Sequence, residues 1–366
     1  MLEILIGFSI VAVLLADIFQ AVLVPRFTPA SLRLAPLLIG RIIWPLCRRL
    51  ALVMKNESVQ DYYLGAFAPM AFVMIFLTWM VAMTLAFGLI IHGLGSEFRP
   101  CIHDFHTAVY VAGTSLLTLG FGDIIAKSFL GRIVVLLGAV TGITVVAVGV
   151  SFLFSMQQSV HNREIMVNAF QSRIDKNCSA VSLLLSYADR GITNLLAAQI
   201  NEWETWAADV LSSHRAFPLL CYFRSGHMCV SWITVLGIML DAANLLSTTI
   251  NDRRFGHADF FLEIGCKLVQ FFKDYLNIEP ENSCIRREEF AEAFVLLKER
   301  GYLLHEEEIA WERFHITRSQ YAPALNALAK TFVCATPGWT EQRRVSVSAS
   351  EEVETCSDVR IVASRE

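Results

Sequence analysis

Long uncharged segments alternate with short polar ones in the first half of the chain. No residue carries a full charge over residues 62–96 or over residues 133–160, and both segments exceed the ~20 apolar residues that a helix needs to cross a bilayer core. A third run over residues 4–24 contains Asp17 and Gln20, and it starts too close to Met1 for the basic region of a cleavable signal peptide. The pattern predicts three membrane-spanning helices, at residues 1–25, 64–93 and 130–157.

The second half of the chain has a different pattern. Apolar and charged residues recur at helical spacing over residues 161–335, and Gly and Pro interrupt them near positions 191, 218, 256, 280 and 301. The run from Met228 to Ile250 is hydrophobic, but Asp241 and Asn244 favour a buried domain helix over a fourth span. Helical periodicity ends after Pro337. We therefore expect a cytoplasmic α-helical domain at 161–335 and a disordered tail at 336–366.

Composition indicates a membrane protein without a recognisable reaction centre. Of the 366 residues, 55% are hydrophobic and 17% are charged, an apolar balance that is unusual in a soluble protein. No nucleophile, base and orienting group cluster in a known motif, and the spacing of His214, Cys221, His227 and Cys229 matches no standard zinc pattern. The expected fold class is an all-α membrane protein, and we expect neither enzymatic activity nor a nucleic-acid partner.

Basic residues distinguish the two sides of the membrane. The connection between the first two spans holds six Lys and Arg residues, whereas the next connection holds only Arg99, Lys127 and Arg132. Connections rich in Lys and Arg stay in the cytoplasm. We therefore expect the N-terminus and the second connection outside, and the C-terminal region in the cytoplasm. The expected location is the cytoplasmic (plasma or inner) membrane.

The connector at residues 26–63 allows two interpretations. Its basic residues recur every seven or eight positions, so in helical stretches they fall on nearly one face and can meet anionic lipid headgroups at the inner leaflet. Alternatively it is an ordinary cytoplasmic segment, because a helix of about 3.6 residues per turn drifts off a seven-residue repeat and prolines interrupt it. The residues concerned are Arg26, Arg33, Arg41, Arg48 and Lys55.

The sequence TLGFGD at Thr118–Asp123 lies between the second and third predicted spans. A dehydrated monovalent cation needs oxygen atoms in place of its water, and a row of backbone carbonyls supplies them without formal charge. Successive carbonyls point the same way only if the backbone alternates between right-handed and left-handed conformations, which glycine permits at positions 120 and 122. Because one strand cannot encircle an ion, such a site requires several copies of the chain. The candidate ligands are the carbonyls of Thr118, Leu119, Gly120 and Phe121.

This segment, between two spans, resembles the selectivity filter in the pore module of potassium channels. The resemblance implies a pore domain at 64–157, with an outer helix at 64–93, a re-entrant pore helix and filter at 104–123, and an inner helix at 130–157. It also implies a homotetramer that conducts K+ passively and needs no cofactor. Residues 203–225, 231–246 and 311–329 are similar to the helical tail of certain bacterial potassium-channel-like proteins. The filter residues are Thr118, Leu119, Gly120, Phe121, Gly122 and Asp123.

Three other positions leave a choice between interpretations. Asp123 either forms a cation-attracting ring at the outer mouth or braces the filter by a hydrogen bond behind it. Gly142 stands where similar channels often carry a gating hinge in the inner helix, but Gly138 and Gly142 also have the G-x-x-x-G spacing of close helix packing. Asp17 is either a functional site, paired with Arg26 or with a neighbouring subunit, or a residue at a hydrated interface.

Together with these patterns, the resemblance implies a potassium-selective, homotetrameric ion channel. No span carries Arg or Lys at every third position, so we expect no voltage-sensing helix, and the helical domain is the candidate for control of the inner gate. Two other functions remain open. The first alternative is a poorly selective monovalent cation channel. The second is a non-conducting membrane sensor or scaffold that keeps a channel-like pore loop.

Overall fold

The computed structural model describes residues 1–22, 43–54, 56–172, 179–225, 231–281, 285–334 and 339. Within these residues the fold consists of twelve α-helices and one small antiparallel sheet, so the expected all-α membrane class is confirmed. The strands are β1 (Phe98–Arg99) and β2 (Ile125–Ala126). The helices are α1 (Leu2–Val22), α2 (Trp44–Val53), α3 (Glu57–Gly93), α4 (Phe105–Leu116), α5 (Phe129–Gln171), α6 (Ala180–Asp189), α7 (Leu196–Ala216), α8 (Trp232–Thr248), α9 (Ala258–Leu276), α10 (Arg287–Glu299), α11 (Glu307–Ser319) and α12 (Ala322–Thr331).

Three of these helices, α1, α3 and α5, are long and apolar enough to cross a membrane. Two of them extend beyond the apolar segments that predicted them. α3 starts at Glu57 and α5 continues to Gln171, because residues 157–172 contain no Gly or Pro that would end the helix. α5 begins after Ser128, whose hydroxyl accepts a hydrogen bond from the Gly131 amide at 3.1 Å and so caps the helix.

α1 packs against α3 at short distance. A methyl group at Gly7 would lie 2.8 Å from the Ala86 carbonyl oxygen, and one at Gly93 would lie 2.6 Å from a side-chain carbon of Ile4. Small residues at such contacts let two membrane helices approach closely. The glycines at both places therefore explain why α1 lies directly on α3.

Two polar contacts also join α1 to α3. The Trp79 indole nitrogen donates to the buried Asp17 carboxylate at 3.0 Å, and the His92 imidazole lies 2.8 Å from the Glu3 carboxylate. A buried carboxylate that accepts a hydrogen bond avoids part of its desolvation cost. Asp17 therefore has a partner within its own chain, whereas Arg26, which the sequence suggested, lies outside the described residues.

Helices α6–α12 form a helical domain with α8 at its centre. All but one residue of α8 is buried, including Asp241 and Asn244, so this hydrophobic run forms a domain helix, as the sequence predicts. The Asp241 carboxylate accepts hydrogen bonds from the Tyr321 hydroxyl at 2.6 Å and from the Arg318 guanidinium at 3.1 Å. This satisfied polar network fixes α8 against α11 and the start of α12.

The helical domain shares its core with α2 and with the first part of α3. The Trp44 ring of α2 lies 5.0 Å from Phe67 of α3, 5.1 Å from Tyr222 and 5.5 Å from Phe332, measured between ring centroids. Aromatic side chains at these distances bury a large apolar area together. The first turns of α3 are therefore part of the same hydrophobic core as the C-terminal helices.

Much of the predicted lipid-binding connector lies outside the described residues, which applies to Arg26, Arg33, Arg41 and Lys55. Arg48 is described, and its guanidinium donates to the Lys330 carbonyl of the helical domain at 3.2 Å. The predicted disordered tail at 336–366 also lies outside, except for Trp339. Its indole nitrogen donates to the Glu289 carbonyl at 3.0 Å, so this one residue contacts the domain.

Candidate functional site

The loop between α3 and α5 begins with the short helix α4. Ala108, Ala112 and Leu116 belong to its buried face. Gly88 of α3 lets Val109 approach closely, since a methyl group at Gly88 would lie 2.8 Å from the Val109 side chain. α4 ends immediately before the predicted filter residues. The packing of α4 on α3 therefore fixes where residues 118–123, called the filter segment below, begin.

The backbone of residues 118–122 alternates in handedness. The φ angle is +56° at Thr118, +56° at Gly120 and +78° at Gly122, whereas φ is negative at Leu119 and Phe121. A left-handed conformation is ordinary for glycine and costly for a β-branched residue. Successive carbonyls need this alternation in order to point towards one side of the strand. The sequence predicted it at the two glycines but not at Thr118.

Backbone amides at the start of the filter segment point back at the end of α4. The Leu119 amide donates to the Thr114 carbonyl at 2.8 Å, and the Gly120 amide lies 3.4 Å from the same oxygen. In a trans peptide the carbonyl points opposite to the amide hydrogen of the next residue. The carbonyls of Thr118 and Leu119 therefore both point away from α4. Thr114, which the sequence did not single out, orients these two candidate ligands.

A hydrogen bond ties the far end of the filter segment to α4. The Tyr110 hydroxyl donates to the Asp123 carboxylate at 2.9 Å. The Tyr110 and Phe121 rings lie nearly parallel, at 4° to each other, with 6.4 Å between their centroids. This hydrogen bond is the one that the bracing interpretation of Asp123 requires.

The small sheet holds the segment that follows the filter. β1 pairs with β2 so that Phe98 lies opposite Ala126, and the Lys127 amide donates to the Glu97 carbonyl at 3.0 Å. The residues after Asp123 are thereby attached to the residues before α4. Both ends of the filter segment are held by the same loop.

Glycines of α5 pack against α4 and α3. A methyl group at Gly142 would overlap the Leu116 carbonyl oxygen, and one at Gly149 would lie 2.6 Å from the Phe76 ring. Gly138 is buried as well. α5 is one continuous helix through Gly142, so close packing accounts for glycine at this position. The hinge role of Gly142 stays a prediction.

The candidate filter and one face of α5 are exposed in the single chain. Phe121 is 67% exposed and Leu119 is 55% exposed. On α5, Leu136, Val140 and Ile143 are exposed and lie on one face, because they are spaced at i, i+4 and i+7. Soluble monomers rarely leave a large apolar face uncovered. In a membrane this face meets lipid or another protein chain.

Among the residues that the structure describes, no group of three or more His, Cys, Asp or Glu side chains is placed to hold a metal ion. The His214 Nδ1 atom lies 2.8 Å from the Val210 carbonyl. Burial and, to a smaller extent, the nearby Arg163 charge lower the pKa of His214 to about 3, so the imidazole is neutral near pH ~7. His227 and Cys229 lie outside the described residues.

Comparison with known proteins adds one match. Residues 71–159 match a family model described as an ion channel. No curated protein and no solved structure matches the chain. The matched segment runs from the middle of α3 to residue 159 of α5 and contains the whole loop with α4 and residues 118–123. α6–α12 lie outside it.

Proposed function

We propose that this chain, whose residues 71–159 match a family model described as an ion channel, is a potassium-selective channel made of four identical subunits. The observation that carries the proposal is the alternating backbone of residues 118–122. Its carbonyls replace the hydration shell of K+ when several such strands surround one axis. The exposed faces of the filter segment and of α5 supply the surface on which the strands assemble.

In the proposed channel, K+ is coordinated by main-chain oxygens and not by charged side chains. The C-terminal end of α4, which carries the negative end of the helix dipole, points at the start of the filter. Asp123 is occupied by its hydrogen bond to Tyr110 and keeps the strand in place. The coordinating carbonyls are those of Thr118, Leu119, Gly120 and Phe121.

The helical domain is the proposed regulator of this pore. None of the three spanning helices carries Arg or Lys at every third position, so no voltage-sensing helix supplies gating charge. α5 continues from the pore module into the domain without a break. With the domain in the cytoplasm and the filter facing outward, movement of the domain reaches the inner end of the pore through α5.

Potassium flux from purified protein in liposomes tests the proposed function. Gly120→Ala should abolish selective flux, because the methyl group opposes the left-handed backbone although it would meet no atom within 4 Å. Gly65→Ala is the matched control. Gly65 lies in α3 without a positive φ and with open space around it, so this variant should conduct like the wild type.

Reversal potentials in K+ and Na+ gradients separate the alternatives. A potential that follows the K+ gradient supports the proposal, and equal permeability identifies a poorly selective cation channel. Absence of flux from a correctly inserted protein identifies a sensor or scaffold. Normal selective current from Gly120→Ala would overturn the assignment of the filter.

A further inference from the structure

The end of α5 carries a buried charge inside the helical domain. Arg163 is 1% exposed. Its guanidinium donates to the Phe223 carbonyl at 2.8 Å, reaches the Leu220 carbonyl at 3.4 Å and pairs with the Glu164 carboxylate at 2.9 Å. It also lies over the Trp232 ring, 5.2 Å from the centroid. A buried charge with so many partners cannot leave its site cheaply, because breaking the contacts strands an unpaired charge.

The domain also holds the backbone of α5 at this point. The Trp206 indole nitrogen donates to the Arg163 carbonyl at 3.2 Å. The Ser225 hydroxyl donates to the Glu164 carboxylate at 3.1 Å, and the same hydroxyl oxygen accepts a hydrogen bond from the Trp232 amide at 3.0 Å. α5 is thus fixed by side-chain and main-chain contacts together.

The same short segment of the domain holds α3. Arg224, next to Phe223, forms an ion pair with Asp61 of α3 at 2.7 Å. Its guanidinium also donates to the Phe332 carbonyl at 2.7 Å and to the Val333 carbonyl at 3.3 Å, just after α12. Arg224 and Asp61 are both mostly buried, so water screens their attraction less than it screens a surface pair.

We propose that residues 218–225, called the coupling segment below, are the joint through which the helical domain sets the pore. The segment contacts α3 through Asp61. Together with Trp206 of α7, it holds α5 at Arg163. This inference rests on the proposed function, and it adds the place at which the domain acts on the channel. A rearrangement of the domain that moves the coupling segment moves the ends of both pore helices together. Release would leave Asp61 without its ion-pair partner, and it would take the Leu220 and Phe223 carbonyls from the buried Arg163 guanidinium.

Single-channel recording of Asp61→Asn tests the tie to α3. Loss of the ion pair should change the open probability by about tenfold or more, the size expected when one hydrogen bond to a charged group is removed. Conductance and reversal potential should not change, because the filter is untouched. Asp189→Asn is the matched control, since Asp189 pairs with Arg300 at 2.6 Å on the surface of the domain. It should leave open probability unchanged.

Trp206→Phe tests the tie to α5 with little change in shape. It removes the N–H group that reaches the Arg163 carbonyl, and open probability should change by about threefold or more. Trp203→Phe is its matched control. Trp203 is equally buried on the same helix, but its indole nitrogen has no hydrogen-bond partner within the described ranges, so its loss should not affect gating.

The outcomes separate this inference from the proposed function. Absence of K+ flux from the wild type would contradict both the proposed function and the inference about the coupling segment. If Asp61→Asn and Trp206→Phe both show selective flux with the wild-type open probability, the gating role of the coupling segment is overturned and the proposed function is not. Thermal unfolding and chromatographic size, measured on every variant, identify any that misfolds. A change as large in the two control variants as in the test variants also overturns the inference.

Discussion

Thr118 is the least predictable residue of the candidate site. A left-handed backbone at a residue with a β-carbon costs ~1–2 kcal/mol. The contacts of the Leu119 and Gly120 amides with Thr114 hold the conformation in place. Sequence patterns place left-handed positions at glycine, so the filter glycines were predictable. The strained threonine was not, because its conformation depends on neighbours that no local rule names.

Sequence reasoning did not identify Arg163 as a contact between α5 and the helical domain, and the reason differs from that for Thr118. It is the first fully charged residue after the uncharged run at 133–160, which is a visible signal. Its carbonyl partners Leu220 and Phe223 lie 57 and 60 positions further along the chain. Their proximity follows from the packing of the domain on α5 and cannot be read from spacing.

Tyr110→Phe tests the brace behind the filter. The change removes the hydroxyl that donates to Asp123 at 2.9 Å, and a lost hydrogen bond to a carboxylate weakens the held conformation by about 1.5 kcal/mol or more. We expect the permeability ratio of K+ to Na+ to fall by about tenfold or more. Reversal potentials measured with K+ on one side and Na+ on the other check this.

Tyr62→Phe is the control for that variant. Tyr62 is 80% exposed on α3, and it precedes the filter segment by more than 50 positions in the chain. It should keep the wild-type ratio. An unchanged ratio in Tyr110→Phe would favour the other interpretation of Asp123, a cation-attracting ring at the outer mouth.

His214 makes the helical domain sensitive to acid. The pKa of His214 is lowered to about 3, whereas an imidazole in an unfolded chain titrates near pH ~6.5. Between these values the unfolded state binds a proton that the folded state does not, so the free energy of unfolding falls as pH falls. At pH ~5 the loss is about 2 kcal/mol relative to pH ~7.5.

Thermal unfolding of the wild type at the two pH values checks this expectation. His214→Asn should reduce the difference between the unfolding temperatures at the two pH values, because it removes the titrating group. His257→Asn, at an exposed position in the domain, should keep the wild-type difference. An equal pH dependence in wild type and His214→Asn would contradict the assignment.

At the scale of elements, apolar length and turn residues predicted which helices exist but not where they end. α4 and the start of α5 fall within a few residues of their predicted positions. α5 extends to Gln171, because its more polar half packs on the domain through single apolar residues such as Val167 and Phe170 and needs no continuous apolar run. Hydrophobicity reports contact with lipid, so it does not mark the end of a helix that enters another hydrophobic core.

Gly142→Ala separates packing from hinge motion in α5. The methyl group would overlap the Leu116 carbonyl, and the backbones of α4 and α5 must separate to admit it. We expect destabilisation of about 1–3 kcal/mol, as for overpacking in a core, measured as a lower unfolding temperature in detergent. Gly65→Ala, with open space around it, should be neutral or stabilising. A Gly142→Ala protein with wild-type stability but altered gating would favour a pure hinge.

At the scale of the whole molecule, α2, the start of α3 and the helical domain are built on a shared core. Trp44 and Phe67 precede the pore loop in sequence, yet they pack on Tyr222 and Phe332. The domain boundary that composition predicts at residue 161 therefore separates Trp44 and Phe67 from the side chains of the helical domain that they contact. The sequence shows where hydrophobicity changes along the chain, but not which distant segments fill one core.

Deletion of the residues after Ser159 should alter open probability while leaving ion preference unchanged, because the filter loop lies wholly before the cut. The shared core adds a second expectation. Trp44, Phe67 and Asp61 lose their partners in the helical domain, so the truncated protein should unfold at a lower temperature and aggregate more readily. Reversal potential and light scattering measure the two effects. A changed K+ preference would contradict the separation of filter and domain.

The hydrogen bond between Asp17 and Trp79 spans 62 positions of the chain. During synthesis α1 leaves the ribosome before Trp79 has been added. Insertion scales give ~2.5–3.5 kcal/mol for a lone carboxylate at the centre of a spanning helix. Asp17 lies five residues before the end of α1, so its cost is smaller, but it still opposes insertion of α1 alone. We therefore expect α1 to wait at the translocon until α3 emerges, and the two helices to enter the membrane as a hairpin.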